Sequence, residues 1–250
     1  MAGSEGSGRD LWRAEVSAAP RVRLTGSIWR VVESQEQIAT RALVDTLEEQ
    51  DLLERLVEAA KPPLRTGTEH LDYLLATPFR YPPLRWGSRF GTAHEPSIFY
   101  GSRRRDTALA EVAYYRFLFW HGMRIPPRSG VLVTQHTAFS ARIDCNPGFR
   151  LQDAPFAAHR EDLVHPSDHR ATQALGAAMR AAGIVGFEAP SARCPQRGLN
   201  VGVFSPHGIA SRVAGRKASW LCELTAEQVV FRGDRLVKFT PASVSGPGPS

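Results

Sequence analysis

The chain has 250 residues, 42% of them hydrophobic, so it can bury a sizeable core and is neither disordered nor fibrous. Its 31 basic and 25 acidic residues leave a net charge of +6, which suits anionic small molecules as well as nucleic acid. Three cysteines without close spacing exclude a disulfide framework and a CxxC metal site, and they favour a reduced, cytoplasmic setting.

The N-terminal part of the chain is predicted as a tail, a strand and a helical extension. Residues 1–15 are rich in Gly and Ser and are expected to form a flexible tail. A β-rich segment follows at 22–32. Ser34 with Gln37 then forms a capping-box pattern, and apolar residues recur at helical spacing as far as a Lys-Pro-Pro run. This spacing predicts one long helix, or two helices with a bend near Gln50.

The rest of the chain alternates helix and strand patterns, with the helices early and the strands late. This order predicts an α+β fold with a mixed or antiparallel sheet. The expected domains are a strand and helical extension at 16–65, a main domain at 66–239 and a second flexible tail at 240–250. Within the main domain the patterns predict strands at 98–100 and 131–139, a helix at 108–120 capped by Asp106 or Thr107, a helix at 168–182, and strands within 183–191, 199–205, 219–224, 228–231 and 235–239.

Several well-known sites are missing from the sequence. It has no phosphate-loop motif, no GxGxxG after a strand, no HExxH and no GxSxG. His165 and His169 have a spacing of four, but Pro166 argues against a shared helical face, so no metal is expected. Without a signal pattern or a long apolar run, the protein is expected to be soluble and not exported.

Two arginines and a glutamate are the first candidates for chemistry. Arg85 and Arg89 flank a Gly-Ser turn and could hold the oxygens of a pyrophosphate, although a solvated basic loop would have the same sequence. Glu111 lies in an apolar helix, where a part-buried carboxylate needs a partner or a task. A structural salt bridge to an arginine would satisfy it equally well.

A third candidate, Ser191, follows a proline at the end of a predicted strand. At such a place a serine can face a cleft, but a serine that only completes a turn is the simpler interpretation.

Taken in order, these segments resemble the RES family, whose members are toxins of Xre-type or ParS-type toxin–antitoxin pairs. The matching segments cover about residues 65–210, and the long N-terminal extension is similar to that of ParT-like members. They are RWGSRF at 85–90, IFY at 98–100, ALAE at 108–111, Pro190-Ser191, and Asn200 before Pro206-His207.

The resemblance implies an ADP-ribosyltransferase-like mixed β-sheet core with flanking helices, and a cleft that cleaves the nicotinamide–ribose bond of NAD. Glu111 would stabilise the cationic ribose of the transition state. Arg85, as first choice, with Arg89 as helper or alternative, would hold the diphosphate. Tyr100 would stack on nicotinamide and Ser191 would bond its ribose or carboxamide, with Asn200 as a further NAD contact. The catalytic set is thus Glu111, Arg85 and Ser191, with NAD as substrate and no metal.

The acceptor of the ADP-ribose stays open at this stage. Family resemblance implies either a protein target such as phosphoribosyl pyrophosphate synthetase, or water or phosphate in members that deplete NAD. It also implies growth arrest and a cognate Xre-like or ParS-like antitoxin that blocks the NAD cleft, with nucleic acid bound only through that antitoxin and no membrane partner. The alternatives of another class are a basic nucleic-acid-binding module, suggested by the charge and the Arg103-Arg104-Arg105 run, and a non-catalytic partner-binding domain.

Overall fold

The computed structural model describes residues 3–34 and 46–245 and contains one mixed β-sheet. Its spatial strand order is β1-β2-β5-β4-β3-β6-β7-β8, in which β3 and β4 are parallel and the other pairs antiparallel. The predicted α+β class with a mixed sheet is therefore confirmed. The strands are β1 Val22–Glu33, β2 Phe99–Ser102, β3 Leu132–Arg150, β4 Gly186–Pro190, β5 Leu199–Val203, β6 Lys217–Leu224, β7 Val229–Arg232 and β8 Leu236–Phe239.

Part of this sheet closes on itself. β1 pairs with β2 on one edge and with β3 on the other, so β1, β2, β5, β4 and β3 form a ring. β3 allows this because it has 19 residues, long enough to pair with β6 near its start and with β4 at its end. The sequence predicted only 131–139 of it, since Pro147 suggested a loop. The buried alternation of Ala141, Ile143 and Cys145 carries the strand onward.

Seven helices lie within the described residues. They are α1 Gly3–Ala18, α2 Leu47–Ala60, α3 Tyr73–Arg80, α4 Arg105–Gly122, α5 Arg160–Val164, α6 Arg170–Ala181 and α7 Pro241–Val244, with two short 3-10 turns at Phe156–His159 and Pro206–Gly208. The helices predicted at 108–120 and 168–182 are confirmed as α4 and α6. Gly183 ends α6 with a φ of +71°, as expected of a helix stop.

Both of the predicted flexible tails contain helix in their described parts. Residues 3–15 belong to α1, which packs against α6 through Trp12 and Val16, exposed by only 2% and 4%. These two residues are four positions apart and therefore lie on one face of the helix. The Gly and Ser residues that precede them obscure this helical pattern in the sequence. At the other end Thr240 caps α7 and Val244 is buried, while residues 246–250 lie outside the described part.

The helical extension is confirmed only in its second half. α2 runs through Gln50 without a break, and the Thr46 hydroxyl accepts a hydrogen bond from the backbone N–H of Glu49 at its start. The Ser34 hydroxyl instead hydrogen-bonds the Thr137 hydroxyl at 2.7 Å. Gln37 and the rest of 35–45 lie outside the described residues.

α4 carries the candidate carboxylate and lies across the sheet, where it contacts β1, β2, β5, β6 and β7. Three small side chains of α4 itself, those of Ala108, Ala110 and Ala113, are buried. Alanines allow a close approach of helix to sheet. Glu111 therefore lies near the end of β4 and the start of β5 rather than out in solvent.

α6 supports the turn that contains the two candidate arginines. A Cβ atom added to Gly176 of α6 would lie 1.9 Å from the carbonyl oxygen of Phe90, so the helix backbone touches this segment directly. Gln173, one turn earlier, donates its side-chain amide to the carbonyl oxygens of Ser88 and Trp86 at 3.0 and 3.2 Å. The position of residues 86–90 thus depends on α6.

This contact makes Gly176→Ala a sensitive substitution. Because the added methyl must push against backbone, we expect the free energy of unfolding to fall by about 2 kcal/mol or more, as for other overpacked sites. Gly122→Ala is the matched control, since nothing lies within 4 Å of a Cβ there, and it should change stability by less than about 1 kcal/mol. Urea unfolding of both variants measures the difference. Equal free energies of unfolding for the two variants would show that α6 can move away from Phe90 without cost.

Candidate active site

A hydrogen-bonded carboxylate forms the centre of the site. Ser191, directly after β4, donates its hydroxyl to Glu111 Oε1 at 2.6 Å, and Asn200 of β5 donates its Nδ2 to the same oxygen at 2.5 Å. Ser102 at the end of β2 donates to Asn200 Oδ1 at 2.7 Å and fixes that amide. Glu111 Oε2 receives no hydrogen bond from the described residues, so one oxygen is anchored and the other can meet a ligand.

Ser191 also completes the turn after β4. Its Oγ accepts the backbone N–H of Arg193 at 3.1 Å and of Cys194 at 2.9 Å, and the side chain is 7% exposed. Ser191 is therefore the turn serine of the simpler interpretation, and this turn also aims its hydroxyl at Glu111. In the free protein Ser191 orients the carboxylate.

Ser191→Ala removes the acceptor of two buried N–H groups as well as one donor to Glu111. Since each unsatisfied buried group is costly, we expect a loss of about 2 kcal/mol in the free energy of unfolding. The exposed Ser219 of β6 provides the control Ser219→Ala, which should stay within about 0.5 kcal/mol of wild type. Thermal or urea unfolding compares the two. Similar values would contradict the hydrogen bonding of this turn.

The two candidate arginines lie on opposite sides of a tight turn. Gly87 at its centre has a φ of +73°, and a Cβ there would lie 2.2 Å from the Gly91 carbonyl oxygen. Arg85 is exposed and stacks on the Trp86 ring at 4.8 Å. Arg89 is turned inward, and burial followed by the positive charge of Arg193 lowers its pKa, while the Glu111 carboxylate acts in the opposite direction. Arg89 is therefore close enough to Glu111 for their charges to interact, whereas Arg85 lies at the surface.

Tyr100 holds the backbone on both sides of Arg89. Its hydroxyl accepts the N–H of Phe90 at 3.2 Å and hydrogen-bonds the Ser88 hydroxyl at 3.0 Å. Burial raises the pKa of this phenol to about 12, so it stays protonated at neutral pH. The hydroxyl of Tyr100 thus serves to position the arginine turn.

Two further residues lie at the site: Arg193, which the sequence analysis did not select, and His169, which it considered only as a metal ligand. Arg193 is 4% exposed, donates to the Pro166 carbonyl oxygen, and lies 3.3 Å above the Tyr114 ring. His169 is close enough to Arg89 and Arg193 that their charges, after burial, lower its pKa to about 4. The position of Arg193 two residues after the candidate serine was the signal that could have indicated it.

The described residues offer neither a metal-binding cluster nor a membrane-spanning helix. Residues 3–34 and 46–245 contain no group of three or more His, Cys, Asp or Glu side chains that could hold a metal ion. Among the helices of the same two ranges, none is both long and apolar enough to cross a membrane.

Comparison with known proteins assigns the family. The model of the RES domain matches residues 62–224, about two thirds of the chain and all of the site described above. The chain belongs to the RES-domain family. The resemblance inferred from the sequence is thereby confirmed.

The fold can also be compared with solved structures. The crystal structure of the M. tuberculosis MbcT–MbcA toxin–antitoxin complex contains a chain that matches with 11% sequence identity and a TM-score of 0.47, covering 92% of this chain and 93% of that one. No curated protein matches the sequence significantly.

Proposed function

We propose that this RES-domain protein is the cytoplasmic toxin of a toxin–antitoxin system, which cleaves the nicotinamide–ribose bond of NAD and transfers ADP-ribose to a protein target. The observation that carries the proposal is the Glu111 carboxylate, anchored through Oε1 by Ser191 and Asn200 with Oε2 left available. Phosphoribosyl pyrophosphate synthetase is one candidate target, while water or phosphate as acceptor would make the protein an NAD-depleting toxin.

The proposed reaction develops positive charge on the ribose. The bond between C1′ and the nicotinamide nitrogen breaks, its electron pair leaves with nicotinamide, and C1′ becomes oxocarbenium-like. A fixed carboxylate stabilises this cation more than it stabilises neutral ribose, which lowers the barrier. The acceptor then bonds C1′ and releases its proton. Arg89 would hold the diphosphate and so present the sugar to Glu111.

The direct test is to incubate the protein with NAD labelled in its adenylate part, with and without cell lysate. We expect release of nicotinamide, and with lysate the label should appear in a protein band. Label found only as free ADP-ribose or as a phosphate adduct would indicate the NAD-depleting alternative. No nicotinamide release under either condition would contradict the proposed enzyme and favour a non-catalytic binding domain.

An active toxin of this kind needs an inhibitor in its own cell. We propose a small Xre-like or ParS-like antitoxin with a segment that lies against the Arg89 and Tyr100 side of the cleft and competes with NAD. Raising the NAD concentration should then weaken antitoxin binding. If the purified complex takes up NAD as readily as the free protein, inhibition acts elsewhere on the molecule.

One observation bears on the nucleic-acid alternative. An open cleft of about 920 Å³ at the start of α4 is lined by basic residues that include the Arg103-Arg104-Arg105 run. Arg103 forms an ion pair with Glu188, and Arg105 forms one with Asp234 at 2.7 Å. These pairs reduce the charge available to a phosphate backbone. Nucleic-acid binding through this cleft would weaken steeply with salt, so a salt titration with duplex DNA tests it.

A further inference from the structure

One surface segment caps the two arginines of the site. This cover segment, residues 163–169, consists of the last two residues of α5 and the connection from α5 to α6. Arg89 Nη1 donates to its carbonyl oxygens at His165, 2.8 Å away, and at Leu163, 3.3 Å away. Arg193 donates Nη2 to the carbonyl oxygen of Pro166. Three backbone carbonyl oxygens of the cover segment therefore accept hydrogen bonds from the two guanidinium groups.

In the part of the chain that the structure describes, Arg89 and Arg193 lack the carboxylate partners that two other arginines, Arg116 and Arg103, have. Arg116 forms an ion pair with Glu33 at 2.8 Å, and Arg103 forms one with Glu188. Arg89 and Arg193 hydrogen-bond only uncharged carbonyl groups among the described residues. Burial, followed by the positive charge of Arg193, lowers the pKa of Arg89, and the opposing effect of Glu111 does not restore it. A further anion would therefore stabilise both positive charges.

The pair also has unused hydrogen-bonding capacity. Within the described part of the chain, Arg193 Nη1 and His169 Nε2 are buried and have no hydrogen-bond partner. Buried polar groups without partners are rare, and at a candidate site they indicate a missing ligand or water. Arg193 is only 4% exposed, so its unpaired Nη1 donor lies inside the site rather than at the surface.

We propose that Arg89 and Arg193 form a diphosphate site that the cover segment holds closed with its carbonyl oxygens, and that the diphosphate of the substrate displaces these oxygens and opens the segment. This inference rests on the proposed function, since the diphosphate is that of NAD. It assigns the second guanidinium to Arg193 instead of Arg85.

The energies favour such an exchange. A phosphate group offers each guanidinium a negative charge and two oxygens that match its planar fork, whereas a backbone carbonyl offers one uncharged oxygen. The middle of the cover segment can move cheaply, because His165, Pro166 and Ser167 are exposed, while Leu163 at its start is buried and His169 at its end is partly buried. Apparent affinity for the ligand is then reduced by the fraction of molecules that are closed.

The experiment uses inorganic pyrophosphate as the probe on the full chain. Calorimetry measures its binding, and amide hydrogen exchange follows peptides that cover residues 163–169. We expect binding together with faster exchange in this segment, where the amides of Ser167 and Asp168 are otherwise held by His165 Nδ1. Pyrophosphate binding with unchanged exchange there would overturn the opening, and absence of binding would overturn the site.

Variants locate the site. Arg193→Met should weaken pyrophosphate binding by at least about tenfold, as expected for loss of a charged hydrogen bond, whereas the exposed Arg85→Met should leave it unchanged. Arg193→Lys, which keeps the charge over the Tyr114 ring, replaces the methionine variant if that one does not fold. Equal binding by the Arg193 variants and wild type would make the Arg193 guanidinium structural and overturn the paired site.

The outcome is separable from that of the proposed function. Pyrophosphate binding with opening, but without nicotinamide release from NAD, would reject the enzyme and retain the anion site. Nicotinamide release with a cover segment that never changes its exchange would retain the enzyme and reject the opening.

Discussion

Glu111→Gln is expected to lower kcat for nicotinamide release by about 100-fold or more, the usual loss when one electrostatic contact to a transition state is removed. The glutamine can keep its carbonyl oxygen on the hydroxyl of Ser191 and the amide of Asn200, so its shape and its anchoring are retained. Its NH₂ group takes the place of Oε2. What disappears is the negative charge beside the ribose cation, which is why KM should change far less than kcat.

The control for this substitution is Glu48→Gln, at an exposed glutamate in the first turn of α2. It removes the same charge from the protein and should leave the rate of NAD cleavage unchanged. A variant at 111 that folds normally and cleaves NAD at the wild-type rate would make the carboxylate purely structural. The mechanism would then need another source of stabilisation for the cation.

The fold was predictable where the patterns are local. The strands after residue 183 and the helices α4 and α6 follow from alternation, helical spacing and a glycine stop, and they were predicted close to their observed bounds. The closed ring was not predictable, because it depends on the pairing of β1 with β3 more than 100 positions away. α1 was missed for a different reason: two buried residues, Trp12 and Val16, outweigh a composition that is typical of a tail.

The site was predictable in its members but less so in its geometry. Glu111, Ser191 and Asn200 were selected by the order of family segments, and they meet although 80 and 89 positions separate the hydrogen-bonded pairs. The choice between Arg85 and Arg89 could not be made from composition, since both flank the same turn. The turn between them, with Gly87 at a positive φ, separates an exposed Arg85 from a part-buried Arg89.

This geometry reverses the expected order of effects for the two arginines. Arg89→Lys keeps the charge but loses the planar fork that holds two phosphate oxygens, so kcat/KM for NAD should fall by at least about tenfold. Arg85→Lys should leave it within about twofold, because that side chain stacks on Trp86 at the surface and surface changes have small effects. Initial rates of nicotinamide release over a range of NAD concentrations measure both.

Whether the substitution changes KM or the melting temperature distinguishes a role in holding the substrate from a general effect on folding. If Arg89 holds the diphosphate, most of the change should appear in KM, and melting temperature should stay close to that of wild type because lysine can still reach the carbonyl oxygens of the cover segment. Loss of activity in Arg85→Lys with a normal Arg89→Lys would return the diphosphate to the outer arginine. Since Arg85 is exposed and Arg89 is near Glu111, that result would require the turn around Gly87 to rearrange when NAD binds.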